Sequence, residues 1–221
     1  MVELEDLDFA YRHGNFRLRV PHLAVAAGEK LAVVGPSGSG KTTLLNLIAG
    51  LETPQAGRVS VADRDIAAMP DDARRSYRAR SIGFVFQDFA LLDYLSAFEN
   101  ILYPYRIASG LRLDGEVRNR ARLLAQACGI ADRLERRPGA LSRGEQQRVA
   151  ICRALVTRPS LVLADEATGN LDPVNKAAIL DLLFARADEA GAALLAVTHD
   201  HDLLPRFDRT VDFADFREDQ A

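Results

Sequence analysis

The chain has 221 residues with 31 acidic and 28 basic side chains, a formal net charge of −3, and that length holds one large domain or two small ones. Hydrophobic residues make up 48% of it, yet no apolar run approaches the ~20 residues that span a bilayer as a helix, and two cysteines, Cys128 and Cys152, exclude a disulfide scaffold. The acidic start, Met1-Val-Glu-Leu-Glu-Asp-Leu-Asp, lacks the layout of a signal peptide, and acids interleaved among the arginines leave no basic footprint for nucleic acid, so the expectation is a cytosolic protein without a nucleic-acid partner.

Apolar and polar residues alternate over 2–7, 16–20 and 22–26, which predicts three strands before a turn at Ala27-Gly28-Glu29. Lys30-Leu-Ala-Val-Val34 is a short apolar run of the kind that makes a buried parallel strand. A Gly/Ser loop follows, then a helix over 42–51 closed by Gly50, and a strand over 82–86. From 97 to 154 the pattern is helical, with the stretch 120–127 spaced for one apolar stripe. Leu161-Val-Leu-Ala164 is a second buried strand, 174–190 a helix and 193–197 a third buried strand. Strands alternating with helices predict an α/β domain with a mainly parallel sheet. The expected organisation is one domain over 1–221, with a core at 1–87 and 155–221 and a helical subdomain inserted at 88–154.

Gly35, Pro36, Ser37, Gly38, Ser39, Gly40, Lys41 and Thr42 fit the spacing of a phosphate loop, and they stand between a strand and a helix as that motif requires. Its glycines aim successive N–H groups at one anion, and the helix start, with Thr43 next in line, adds the positive end of its dipole. Lys41, one of only three lysines, is placed to charge-pair with the β- and γ-phosphates, and the Thr42 hydroxyl to ligate Mg²⁺. Asp165 and Glu166 close an apolar strand, where ligands of parallel sheets bind. Asp165 suits a metal shell and Glu166 a general base for an attacking water. His199 ends the third buried strand on the same sheet edge as Lys41 and Glu166, which favours a catalytic role over a merely satisfied polar residue, whereas His13, His22 and His201 read as surface residues.

Other segments narrow this to one family. Leu141-Ser142-Arg143-Gly144-Glu145-Gln146-Gln147-Arg148 resembles the signature sequence of ATP-binding cassette (ABC) ATPases. Gln87, in Phe84-Val-Phe-Gln87-Asp, resembles the Q-loop glutamine, Gly169-Asn-Leu-Asp172 the D-loop, and Tyr11 stands where the family places an aromatic against adenine. The resemblance implies a RecA-like P-loop NTPase core with N-terminal antiparallel strands and a helical insert. It also implies an ATP hydrolase working as a head-to-tail homodimer. Ser142 and Gly144 would then meet the γ-phosphate held by the other copy, Gln87 would ligate Mg²⁺, and Asp172 would contact the opposing phosphate loop.

Two positions depart from the family pattern: Arg143 replaces a usual glycine and Glu145 a usual glutamine, the latter a variant resembling the lipoprotein-release and macrolide-export branch. Arg143 either adds a cation near the partner copy's nucleotide or points to solvent. The family further implies a separate transmembrane permease subunit, which would hold this chain at the inner face of the cell membrane. Phe89, Leu91, Leu92, Tyr94, Leu95 and Phe98 are the candidates for the groove that receives it, with packing inside the helical insert as the competing reading. The cargo implied is an envelope lipid, lipoprotein, peptide or drug. The alternative is a cassette ATPase without transport, passing its ATP state to a periplasmic enzyme or serving as a signalling scaffold.

Overall fold

The computed structural model describes residues 1–14, 16–167 and 173–216. An antiparallel sheet of four strands opens the chain, in the order β2(Arg17–Val25), β1(Val2–Ala10), β4(Ala56–Val61), β5(Arg64–Asp65). The two strands expected over 16–20 and 22–26 are one. Pro21 interrupts nothing, because β2 is an edge strand where a missing N–H goes unnoticed. Opposite Pro21 the inner strand carries a bulge at Asp6 (φ 46°), and the β1–β4 register shifts between Glu5 and Asp8.

The second sheet is wholly parallel and has five strands, in the order β6(Ile82–Val85), β7(Leu161–Asp165), β8(Ala193–Val197), β3(Lys30–Val34), β9(Arg209–Asp212). The three apolar runs expected to be buried are β3, β7 and β8, and β7 and β8 are buried at every position. The polar segment Arg209-Thr-Val-Asp212 was not anticipated as a strand; it pairs with β3 at the sheet edge.

Helix α1(Lys41–Ile48) lies between the two sheets, where Leu44, Leu45, Leu47 and Ile48 join Leu4, Phe9, Leu31 and Val33 in one core. It ends a turn before the expected 51, at Gly50 in the left-handed conformation. On the other face of the parallel sheet, α5(Arg143–Leu155) and α6(Pro173–Ala190) bring Ile151, Ala154, Ile179 and Leu183 onto Val162 and Leu194. Here Gly83 of β6 is required by contact: a Cβ on it would stand 2.3 Å from the Ala154 carbonyl oxygen of α5.

The helical stretch resolves into α3(Ala97–Ile107), α4(Gly115–Ala127) and α5, with a third apolar cluster of their own. Side chains mark each start: Ser96 with Glu99 and Ser142 with Glu145 form capping boxes, and Asp114 caps α4. Helix α2(Asp71–Ser81) has no buried residue, which is why no apolar stripe announced it. Asp71 and Asp72 in its first turn and Arg78 and Arg80 in its last suit the helix dipole. Among the described residues no helix is long and apolar enough to cross a membrane.

Candidate active site

Four adjacent parallel strands deliver the chemistry to one edge. Gln87 follows β6, Asp165 and Glu166 end β7, His199 follows β8, and the loop 35–40 follows β3. All lie at the strands' C-terminal ends, so the sheet itself brings together residues far apart in the chain.

The loop is shaped from behind by aromatic rings. Gly40 caps α1 at φ 110°, and a Cβ there would come 2.6 Å from the Phe16 ring; one on Gly35 would come 2.9 Å from Cβ of Phe213, which is fully buried. No side chain caps the start of α1, so its first N–H groups stay free for an anion. Pro36, Ser37 and Gly38 are exposed, while Ser39 and Lys41 turn inward. The Lys41 ammonium donates to the carbonyls of Gly35 (2.9 Å) and Pro36 (2.7 Å) and to Ser39 Oγ (3.4 Å). It is thereby held inside the loop's own curve, where a phosphate would compete for it. Tyr11, 40% exposed, shares a hydrogen bond of 3.1 Å with Thr43 Oγ1 and packs edge-on against Phe9, which places its ring beside the loop's exit.

At the centre, Thr42 Oγ1 donates to Asp165 Oδ2 at 2.8 Å across 123 positions of sequence. Burial pushes the Asp165 carboxyl up, while the Thr42 hydroxyl opposes that by favouring the anion. Its second oxygen, Oδ1, is buried and has no partner among the described residues. An orphaned carboxylate oxygen beside the Thr42 hydroxyl, with the Gln87 amide at the end of the neighbouring strand, is an all-oxygen donor set, and it fits a hard dication such as Mg²⁺. The described residues contain no cluster of three His, Cys, Asp or Glu that would form a dedicated metal cage. That is the usual pattern where Mg²⁺ is shared with phosphates.

Glu166 adopts φ 45°, a left-handed turn fixed by its N–H donating to Val197 O at 3.0 Å. The turn holds its carboxylate between two groups: Gln87 Nε2 donates to Oε2 at 3.1 Å, and His199 Nδ1 is 3.3 Å from Oε1. Gln87, Glu166 and His199 thus stand in one row, the glutamine joined to the carboxylate by a hydrogen bond and the imidazole within ion-pair distance of it. His13, His22 and His201 are exposed.

The signature segment opens α5. Ser142 Oγ accepts from Glu145 N (3.3 Å), and Glu145 Oε2 accepts from Ser142 N (2.7 Å). Glu145 Oε1 takes a further bond from Arg133 Nε (2.6 Å), and these donors hold its carboxyl down at about 2. Gly144 has open space around it. Arg143 is exposed, in line with the solvent-facing reading, and its guanidinium lies 5.8 Å over the Phe89 ring, a contact that the sequence did not suggest. The D-loop segment with Asp172 lies outside the described residues.

Of the aromatic cluster at 89–98, Phe89 and Leu95 are buried in the protein, which corrects their assignment to an open groove. Asn100 explains the packing: its buried amide donates to the carbonyls of Leu92, Leu95 and Ser96 and accepts from Leu92 N, winding the segment onto α3. Leu91, Leu92 and Phe98 are half-buried, and Tyr94 is 68% exposed. An open cavity of about 820 Å³ lies elsewhere, between α2 and α3, lined among others by Phe84, Phe86, Ala90, Tyr103 and Ile107. Sequence reasoning missed this groove, and it missed Phe16 and Phe213 behind the loop. Both aromatics belong to segments with no motif, and only the three-dimensional packing discloses them.

Comparison with known proteins agrees with this geometry. The ABC transporter family matches residues 18–169. The chain is 47% identical to the lipoprotein-releasing system ATP-binding protein LolD of Chromohalobacter salexigens, over 96% of this chain and 90% of that protein. It is 41% identical to the macrolide export ATP-binding/permease protein MacB of Syntrophobacter fumaroxidans, over 90% of this chain and 28% of that much longer protein. The ATP-binding cassette MJ0796, solved as a dimer in a post-hydrolysis state with ADP and Pi, superimposes with a TM-score of 0.86 at 34% identity, covering 96% of this chain and 94% of that one. The chain belongs to the ABC transporter family, as one of its ATP-hydrolysing cassettes.

Proposed function

We propose that two copies of this chain close head to tail around two ATP and so drive a separate membrane subunit that handles an envelope lipid or lipoprotein. The row Gln87–Glu166–His199 beside the Thr42–Asp165 pair is the observation that carries the ATPase half of this reading. The name of the LolD relatives supports the cargo class, and the name of the MacB relative supports export of a drug such as a macrolide as the second reading.

Each residue has a task in this scheme. Lys41 and the N–H groups of residues 38–43 bind the phosphates, and Tyr11 flanks the base. Thr42, Asp165 and Gln87 hold Mg²⁺, which supplies positive charge to the phosphate oxygens when bound. Glu166 accepts the proton of the attacking water, and His199 orients Glu166 and reaches the terminal phosphate. Ser142 and Gly144, at a helix start, offer hydroxyl, N–H and dipole to the terminal phosphate held by the other copy, and Asp172 meets the opposing phosphate loop. Glu145 serves that helix as its cap. The division into a core at 1–87 and 155–221 and a helical subdomain at 88–154 gives the two copies separate surfaces for these tasks.

The membrane subunit would dock in the groove between α2 and α3, where Ile107 is 62% exposed and Phe84, Phe86 and Tyr103 offer apolar walls. Such docking would hold the chain at the membrane's inner face. The decisive experiment is Glu166→Gln in the purified chain. It is expected to keep ATP binding, to accumulate an ATP-dependent dimer on size-exclusion chromatography, and to lose ~10²-fold in turnover, as removal of a general base does. Wild-type turnover, or a chain that stays monomeric with ATP, overturns the scheme.

A further inference from the structure

Among the described residues Arg153 is the one buried arginine, 9% exposed, and burial draws its pKa down to about 10. A guanidinium so placed needs strong partners. It finds them in main chain: Nη1 donates to Ala90 O and Nη2 to Phe89 O, each at 2.5 Å. Both carbonyls belong to non-glycine residues in the left-handed region, Phe89 at φ 65° and Ala90 at φ 45°. Two successive such residues are strained and persist only where something holds them. A planar fork matches two adjacent carbonyls in a way a lysine cannot.

The turn that Arg153 holds has Gln87 at one end and the groove at the other. Phe89 N donates back to Phe86 O at 3.0 Å, which closes the turn around Gln87. Gln87 in turn donates to Glu166. Ala90 and Arg153 both line the groove between α2 and α3. The Phe89 ring lies under Arg143, ten residues earlier on the same helix, so α5 grips the turn twice.

We infer that Arg153 is the positioning residue for Gln87: its fork clamps the Phe89–Ala90 turn, so that contact made in the groove is felt at Glu166. The inference rests on the roles proposed above for Gln87 and for the groove. The signature helix is then the mechanical link between a partner's docking surface and the catalytic row of the same chain.

The test is a double-mutant cycle in the purified full-length chain, with steady-state ATPase followed over a Mg²⁺ titration. Arg153→Lys is expected to lower kcat about fivefold or more and to raise the Mg²⁺ concentration for half-maximal rate, with KM for ATP at saturating Mg²⁺ unchanged within about twofold. In a Gln87→Ala background the same substitution is expected to change kcat by less than about twofold, because the residue through which it acts is gone. Arg153→Gln, with a single donor group, is the second variant and should follow the same pattern. A penalty that persists undiminished in the Gln87→Ala background overturns the inference, as does no penalty at all. Loss of the folded state in both Arg153 variants also overturns it, since the arginine would then hold the fold and not the glutamine. Gln87→Ala with wild-type kcat and Mg²⁺ dependence marks a different failure, that of the Gln87 role itself.

Discussion

Asp165 combines a cost and a use. Its carboxylate is buried, one oxygen is satisfied by Thr42, and the other has no partner among the described residues. A carboxyl whose pKa is raised by folding stabilises the fold below its ordinary value of 3.8 and loses that contribution as pH rises through the raised value. The charged form at neutral pH is therefore a burden on the nucleotide-free protein. Asp165→Asn, which keeps an acceptor for the Thr42 hydroxyl, is expected to raise the melting temperature in neutral buffer, with the gain shrinking as the pH is lowered towards 3.8. It should also abolish the extra thermal stabilisation that Mg²⁺ adds to ATP, because the orphaned oxygen is the proposed contact. Calorimetry with and without Mg²⁺ checks both. The acid pair after an apolar strand was readable in the sequence; the orphaned oxygen was not, since it depends on what the described residues packed around it leave unfilled.

Helix α5 shows the same limit one scale up. Its start was legible, because Ser142 and Glu145 have the spacing of a capping box. The third member, Arg133, was not, because it reaches Glu145 from a separate 3-10 turn. Ser142→Ala is expected to cost about 1 kcal/mol of unfolding free energy, the usual loss for a helix cap. Glu145→Gln keeps an oxygen for the Ser142 N–H but gives up the charge facing Arg133, so its loss should be smaller, about 0.5 kcal/mol. That carboxyl is depressed from its ordinary 4.5 to about 2, so its stabilisation is complete above the former and lost as pH falls through the latter. Urea unfolding of wild type and Glu145→Gln should accordingly converge as pH is lowered across that window. Elements whose cause is local, such as the capped helices and the apolar strands β3, β7 and β8, were therefore expected. The exceptions have non-local causes: α2 is supported by end charges without a buried face, β2 tolerates Pro21 only as an edge strand, and β9 forms because β3 offers it a free edge.

At the scale of the whole molecule, the sequence pointed to residues 89–98 as an apolar surface for a membrane partner, whereas the docking surface proposed above lies in the groove between α2 and α3. Residues 89–98 are rich in large apolar side chains, yet Asn100 winds them onto α3 and two of the six candidates, Phe89 and Leu95, are core. The open groove instead forms where α2, a helix without a buried face, stands apart from α3, so its walls come from residues that no single stretch of sequence groups together. The two locations can be separated by charge. Ile107 lines the groove and Tyr94 lies outside it, and both are well exposed, at 62% and 68%. A carboxylate at either position costs the isolated chain little, since neither side chain is packed. Set into an apolar interface it remains unpaired and desolvated, which is worth several kcal/mol against binding. Ile107→Glu is therefore expected to abolish co-purification of the membrane subunit from detergent-solubilised membranes while the ATPase rate of the free chain stays at wild type. Tyr94→Glu should leave co-purification intact. The reverse result would return the docking site to the segment 89–98. Loss in both variants would make the interface wide enough to span both, and the groove would then be one part of a larger contact.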